Sequence, residues 1–252
     1  MVKPRSPETF VESFEKGLRV ITAFDAQHPA MTLSEVAGRT ELTRAAARRL
    51  LLTLVELGYA RQEGGKFRLT ARVLRLGAAY LRTSSLPELA HPILERVSGE
   101  LGESSSLAVL DGADIVYVAR NQTKRIMSAD LAVGSRLPAL HTSMGRVLLA
   151  AEPGLAEIIE HATLEKHTSR TVVSRRELLR RIKAAQASGF AVVDQELEEG
   201  LRSIAVPVRD RSGALVAAMN VSGQANRVSV DDMKRAFLPV LRQAAAELEE
   251  LL

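Results

Sequence analysis

The stretch from Thr32 to Leu69, TLSEVAGRTELTRAAARRLLLTLVELGYARQEGGKFRL, limits what this chain can fold into more than any other feature. Thr32 and Glu35 stand at the spacing of a capping box, so a short helix, LSEVAGRT, opens there. Thr43 caps a second helix that runs to about Leu57 and stops at Gly58, a residue suited to closing a helix. Tyr59–Arg61 and Lys66–Leu69 then read as two short strands, and Gly64 and Gly65 can both take the positive φ of a tight hairpin. Helix, tight connection, helix and basic hairpin make a winged helix-turn-helix pattern. Upstream, Ser13–Ala26 places Phe14, Leu18, Ile21 and Phe24 near one helical face, as a support helix would.

At about 100° per residue, Ala47, Leu50, Leu51, Leu54 and Gly58 share one side of the second helix. Ala45 and Arg49 point away from it, Arg48 lies on the flank and Arg44 in the first turn. Alone, this is the solvated face of an amphipathic helix. Behind a capped short helix and before a wing, it reads as a face for duplex DNA. Ala permits close approach to a groove, and Arg can donate two bonds to guanine or reach phosphate. Thr32, Thr43, Arg44, Ala45, Arg48 and Arg49 are the candidate DNA contacts of the helices. Arg61, Lys66 and Arg68 of the wing are candidate phosphate contacts, which position without specifying sequence. Charge segregates accordingly: residues 1–83 hold 14 Lys/Arg against 8 Asp/Glu, and residues 84–252 hold 20 against 22.

A length of 252 residues is enough for one or two domains with their own cores. The absence of cysteine excludes disulfides, thiolate chemistry and a thiolate zinc site. The first residues, MVKPRSPETF, have no apolar h-region, and no apolar run approaches roughly 18 residues. A soluble, cytoplasmic, non-membrane protein is expected.

Beyond Ser84, Ser85 and Pro87, which mark a domain boundary, strands and helices intersperse. A helix carrying Leu89, Ile93, Leu94 and Val97 is expected first. SSSLAVL–DGAD–IVYVAR reads as a hairpin, and Ile126–Asp130 as a further strand. Ser143–Ala150 begins a helix, and Ser174 with Glu177 caps a longer one that stops at Gly189. FAVVD (190–194) is a short strand, RSIAVPVRD–RSG–ALVAAMNVSG a second hairpin. Ser229 opens a last helix that Pro239 should kink or break. A largely antiparallel sheet with helices packed on it follows. No GxSxG, P-loop or GxGxxG occurs. His28, His91, His141, His161 and His167 form no HExxH or ligand cluster, so neither an enzyme nor a metal or cofactor site is expected. The helix start at Thr142, Ser143, Met144 and Gly145 is either an ordinary N-cap or a place for a carboxylate.

Taken together, LSEVAGRTELTRAAARRLLLTLVELGY, FRLTARVLRLG, LPALHTSMGRVLLA and GFAVVDQELEEGLRSIAVPVRDRSGALVAAMNVSG resemble the IclR family of transcriptional regulators across both halves of the chain. FVESFEKGLRVITAF, GESSSLAVLDGADIVYVAR, RIMSADLAVGSRLPA and TSMGRVLLA resemble most its branch that governs aromatic-acid breakdown through the β-ketoadipate pathway. The resemblance implies an α+β protein with a winged helix-turn-helix at 8–70, a linker helix at 71–84 and a GAF-like effector-binding domain at 85–252. It implies an operator in double-stranded DNA, a small organic acid as effector, homodimers or homotetramers, and engagement of RNA polymerase.

Carried over by position, the effector pocket comprises Thr142, Ser143, Met144, Gly145, Asp194, Ser203, Asn220 and Ser222, with Met127, Leu131 and Val133 as apolar walls. Some members carry Cys at the position of Ser203 and bind a metal, which a chain without cysteine does not favour. His141 replaces the small residue usual before TSMG. It either joins the pocket, favouring an anionic effector, or faces solvent. Asn220, where others often have Ser, points to a different ligand. The expected effectors are protocatechuate, 4-hydroxybenzoate or β-ketoadipate. A repressor answering to another acid, such as glyoxylate or a sugar acid, is the alternative.

Overall fold

A computed structural model describes residues 10–77, 85–123 and 131–252. The chain divides into two compact units, Met1–Thr83 and Ser84–Leu252. Among the described residues no helix is long and apolar enough to cross a membrane.

The first unit holds α1 (Glu12–Thr22), β1 (Met31–Thr32), α2 (Leu33–Thr40), α3 (Arg44–Glu56), β2 (Ala60–Glu63) and β3 (Lys66–Leu69). The Thr32–Glu35 capping box opens α2, and the Thr43 hydroxyl accepts from Ala46 N at 3.2 Å to open α3. Gly64 and Gly65, with φ of 56° and 78°, turn the hairpin, which keeps β2 and β3 in register from Ala60↔Leu69 to Glu63↔Lys66. A strand absent from the sequence reading, β1, adds to the outer side of β3. Val20, Met31, Val36, Leu51, Leu54, Ala60 and Phe67 form the core. On α1 that core takes Val20, whereas Phe14 and Leu18 lie exposed. The helix turns its Gly17 side toward Leu50, so of the apolar stripe expected to face inward Ile21 and Phe24 pack against the core while Phe14 and Leu18 point out. After β3 come a 3₁₀ turn (Ala71–Val73) and a helical stretch at 74–77; the rest of the expected linker helix, 78–84, lies outside the described residues.

The second unit is built on one fully antiparallel six-stranded sheet. Its strands are β4 (Ser104–Asp111), β5 (Asp114–Asn121), β6 (Arg136–Pro138), β7 (Ala191–Asp194), β8 (Leu201–Arg209) and β9 (Leu215–Gln224), in the order β6-β5-β4-β9-β8-β7. Two helices, α4 (Leu86–Leu101) and the C-terminal α8 (Leu238–Leu251), cover one face through Leu107, Ile204, Val206, Met219 and Val221. Three others, α5 (Ser143–Leu149), α6 (Leu155–His161) and α7 (Arg175–Ser188), cover the opposite face. There the alternating partners are small: Ala108, Ala205 and Ala218. On β8, period-2 alternation thus sends Ile204, Val206 and Val208 to one side and Ala205 to the other. The expected strand at 126–130 falls outside the described residues. The last helical run stays continuous through Pro239 rather than breaking there. A π-helical turn, Met233–Phe237, leads into α8, and Pro239 sits in the first turn of that helix, where its missing N–H costs nothing.

Candidate functional site

On the first unit, α3 buries Ala47, Leu51 and Leu54 and leaves Arg44, Ala45, Arg48 and Arg49 exposed. Among the described residues none of the three arginines has an ion-pair partner, which leaves their guanidinium groups open to an outside acceptor. Lys66 and Arg68 of the hairpin are exposed in the same way, while Arg61 pairs with Glu63 at 3.3 Å. Thr32 and Thr43 are committed to capping: the Thr32 N–H and hydroxyl both donate to Glu35 Oε2, at 2.6 and 2.9 Å.

On the second unit a cavity of about 250 Å³ opens between the sheet and the start of α5. Its floor follows from the small-residue face of the sheet. Ser203 lies two residues from Ala205, and Asn220 and Ser222 continue the alternation from Ala218, so polar side chains occupy that face where the helix layer ends. Of the residues expected in a pocket, Leu131, His141, Thr142, Ser143, Met144, Ser203, Asn220 and Ser222 come together here. His141 is 2 % exposed, which settles its direction inward.

Others are placed elsewhere. Val133 is half exposed, and Asp194 binds Arg170 and Arg202 at 2.8 and 2.7 Å beside a different groove. Gly145 packs against the 3₁₀ turn Ala139–His141, where a Cβ would stand 2.1 Å from the Ala139 carbonyl oxygen. Met127 lies outside the described residues. The helix start itself offers little to an anion: α5 has seven residues, and the Thr142 hydroxyl already takes the Gly145 N–H at 3.0 Å.

The cation of the cavity is Arg120, a residue the sequence reading did not single out. β4 and β5 shift register between Leu107 and Ala108, so Ala108 pairs with Tyr117 while Ser106 pairs with Arg120. Tyr117 and Arg120, three apart, therefore share the cavity face, which strict alternation forbids and a bulge permits. The guanidinium lies over the Tyr117 ring at 5.7 Å. Burial pushes the Tyr117 phenol up to about 12 and lowers Arg120 from its usual value, against an opposing pull from each on the other. Nε of Arg120 has no partner, and one terminal nitrogen reaches Ser106 Oγ at 3.5 Å, the limit of a hydrogen bond. Both ring nitrogens of His141, Ser143 Oγ and Asn220 Oδ1 are likewise buried without partners. All belong to residues lining this cavity.

The cavity is also lined by Glu196, 2 % exposed. The buried Arg146 donates to it through both terminal nitrogens, at 2.8 and 2.6 Å, and Arg181 adds a third bond at 3.0 Å. His141 Nδ1 stands 3.9 Å from the same carboxylate. Burial pushes the Glu196 carboxyl up, but His141 and the Arg146 guanidinium outweigh it and hold it at about 2. No spacing rule in the sequence could join Arg146 to Glu196, fifty positions apart. An Arg inside an otherwise apolar helix, MGRVLLA, was the available signal that a buried partner must exist.

Two family models match the chain: a helix-turn-helix domain of the IclR type over residues 13–64 and the C-terminal domain of IclR bacterial transcriptional regulators over 78–250. The Pca regulon regulatory protein of Pseudomonas putida is 46% identical over 242 residues, 95% of this chain and 83% of that protein. The p-hydroxybenzoate hydroxylase transcriptional activator of Acinetobacter baylyi is 35% identical over 97% of this chain and 93% of its own length. The crystal structure of an IclR homolog from Microbacterium hydrocarbonoxydans, complexed with 4-hydroxybenzoate, superimposes with a TM-score of 0.80 at 27% identity, covering 94% of this chain and 98% of that one. These names describe regulators of transcription and not enzymes.

Proposed function

The chain belongs to the IclR family of bacterial transcriptional regulators, and from that premise we propose that it governs aromatic-acid catabolic genes in response to a small aromatic acid held in the cavity. One observation carries this reading: a half-buried cation with an unpartnered, shielded nitrogen and four further unpartnered polar atoms converge on one largely apolar space. Buried polar groups are satisfied as a rule, so such a cluster marks where a ligand supplies the missing partners. A carboxylate seated on Arg120, with Ser143 and Asn220 alongside, completes the bonds. Tyr117, Leu137, Met144 and Leu201 supply flat or branched apolar walls for a ring. The regulators named for the Pca regulon and for p-hydroxybenzoate hydroxylase support the pathway assignment.

On the DNA side, Arg44, Arg48 and Arg49 read the major groove with Ala45 allowing close approach, and Lys66, Arg68 and Arg61 hold phosphates. The exposed apolar side of α1, with Val11, Phe14 and Leu18, supports pairing of two copies as a homodimer, the unit that a two-fold operator requires. Residues 71–84 join the reader to the sensor and carry the signal, which sets operator affinity or polymerase engagement in the cytoplasm.

Thermal unfolding of the full chain across a panel of aromatic and aliphatic acids tests the assignment. At about 100 times its Kd a true effector stabilises by roughly 2.7 kcal/mol. A shift with hydroxylated benzoates in the wild type that is lost in Arg120→Ala is expected. A shift confined to short aliphatic acids, such as glyoxylate, contradicts the aromatic assignment.

A further inference from the structure

Among the described residues β7 pairs with β8 along one side and with no strand along the other, so the six-stranded sheet ends there in an open edge. We infer that this edge is a docking site for a partner protein, which adds an extended acidic segment to β7 as a further strand.

The register fixes which backbone groups are on offer. Gln195 N donates to the Leu201 carbonyl oxygen at 2.8 Å, and bonded pairs recur at every second residue of an antiparallel ladder. Val193 and Ala191 therefore bond β8, while Val192 and Asp194 turn their N–H and C=O outward. The next outward carbonyl, that of Phe190, is already taken by the Ser188 hydroxyl at 3.0 Å. Among the described residues, nothing bonds the outward main-chain groups of Val192 and Asp194. Phe190, Val192 and Asp194 all line a groove of about 350 Å³, whereas Val193 lines the cavity beside α5 instead. One wall of the groove is α7, with Ala184, Ala185 and Ser188, short side chains that let a second backbone approach. Val230 and Lys234, from the turns packed on the opposite face of the sheet, form the other wall.

Charge selects the occupant. Arg180 and Arg181 share Glu177, Arg146 and Arg181 share Glu196, and Arg170 and Arg202 share Asp194, so cations exceed carboxylates around the groove. Lys234 is exposed and has no ion-pair partner among the described residues. Cations stand on both walls, so acidic side chains of an added strand meet opposite charge on whichever face they fall. A second copy of β7 would bring the same cations together, an arrangement by which sheets avoid pairing with themselves. Main-chain bonds to Val192 and Asp194 supply the affinity, and the basic walls supply the preference.

Fluorescence anisotropy of the full chain with a short labelled peptide, Glu alternating with Val and Thr, reads the docking. At low salt this peptide is expected to bind at least about ten-fold tighter than its counterpart with Lys in place of Glu. Val192→Pro removes an outward N–H and no ladder bond, the kind of place where an edge strand tolerates proline. It should weaken the peptide about ten-fold or more. Lys234→Glu, on an exposed turn, should weaken it about three-fold or more and flatten the salt dependence. A peptide N-methylated along its backbone keeps the charge but not the donors, so it should lose binding; this arm and Lys234→Glu decide the matter if Val192→Pro does not fold. Binding that survives N-methylation, or that survives Val192→Pro in a folded protein, means that charge alone holds the peptide, for example on the arginines of α3, and overturns the inference. A wild type that binds neither peptide overturns it too. Sedimentation showing copies that pair in the wild type but not in Val192→Pro assigns the edge to a second copy and overturns the acidic-partner assignment.

Discussion

Arg146 is 1 % exposed yet charged, because the Leu140 carbonyl and both oxygens of Glu196 meet its three nitrogens inside the core. Removing one partner of such a pair leaves a buried charge, which typically costs about 3–5 kcal/mol. Glu196→Gln is therefore expected to lower the urea midpoint strongly at pH 7. The wild type should show a matching pH dependence. The Glu196 carboxyl falls from an ordinary 4.5 to about 2 on folding, so its contribution is complete above about pH 4.5 and disappears as the pH drops toward 2. The loss across that window is of order 3 kcal/mol. Urea titrations at pH 5 and pH 2.5 check it, and a Glu196→Gln variant with the same pH slope as wild type would contradict it. Gly145 makes a different residue-scale argument. Because its Cβ would strike the Ala139 backbone, Gly145→Ala must displace α5 or the turn before it. Overpacking of this kind costs about 1–3 kcal/mol or more, measurable as a reduced melting temperature.

At the scale of elements, the proposed reading has α3 and the β2–β3 hairpin divide the work of DNA binding, and the two can be separated by salt. Lys66→Ala should weaken all duplexes about equally and lower the salt slope by about 1. Arg49→Ala should weaken the operator more than unrelated DNA, by about 1–3 kcal/mol if it contacts a base. Fluorescence anisotropy on operator and scrambled duplexes between low and physiological salt distinguishes them. A base-selective loss from Lys66→Ala would reassign the hairpin. These elements were the legible ones, because caps and turns are local. Thr32 with Glu35, Thr43, Gly64–Gly65, Ser174 with Glu177 and Gly189 each announce a boundary within a few residues of where it falls. What local signals do not carry is partnership. The two-residue β1 has no propensity of its own and exists because β3 offers an edge. The apolar periodicity of α1 was visible, but not that Phe14 and Leu18 would face outward.

The same limit governs the site in the whole molecule. Resemblance located one wall of the cavity, Thr142 to Met144 with Asn220 and Ser222, since those residues cluster in recognisable motifs. Arg120 escaped because the bulge in the β4–β5 pair breaks the alternation by which its face would be judged. Glu196 escaped because its partners come from α5 and α7, and its neighbours in sequence, QELEEG, look like an ordinary acidic loop. Those two residues give the lining of the cavity a cation and a buried carboxylate. A sensor domain linked to a reader domain in one chain has meaning only if occupancy of the first alters the second. The most direct test titrates 4-hydroxybenzoate into the complex of the full protein with its operator, for wild type and Arg120→Ala, by fluorescence anisotropy. Both proteins should bind the operator equally without acid, with the wild-type operator Kd changing as acid is added and Arg120→Ala requiring at least about ten-fold more acid for the same change. An Arg120→Ala protein that responds at the wild-type concentration would show that the acid is sensed elsewhere.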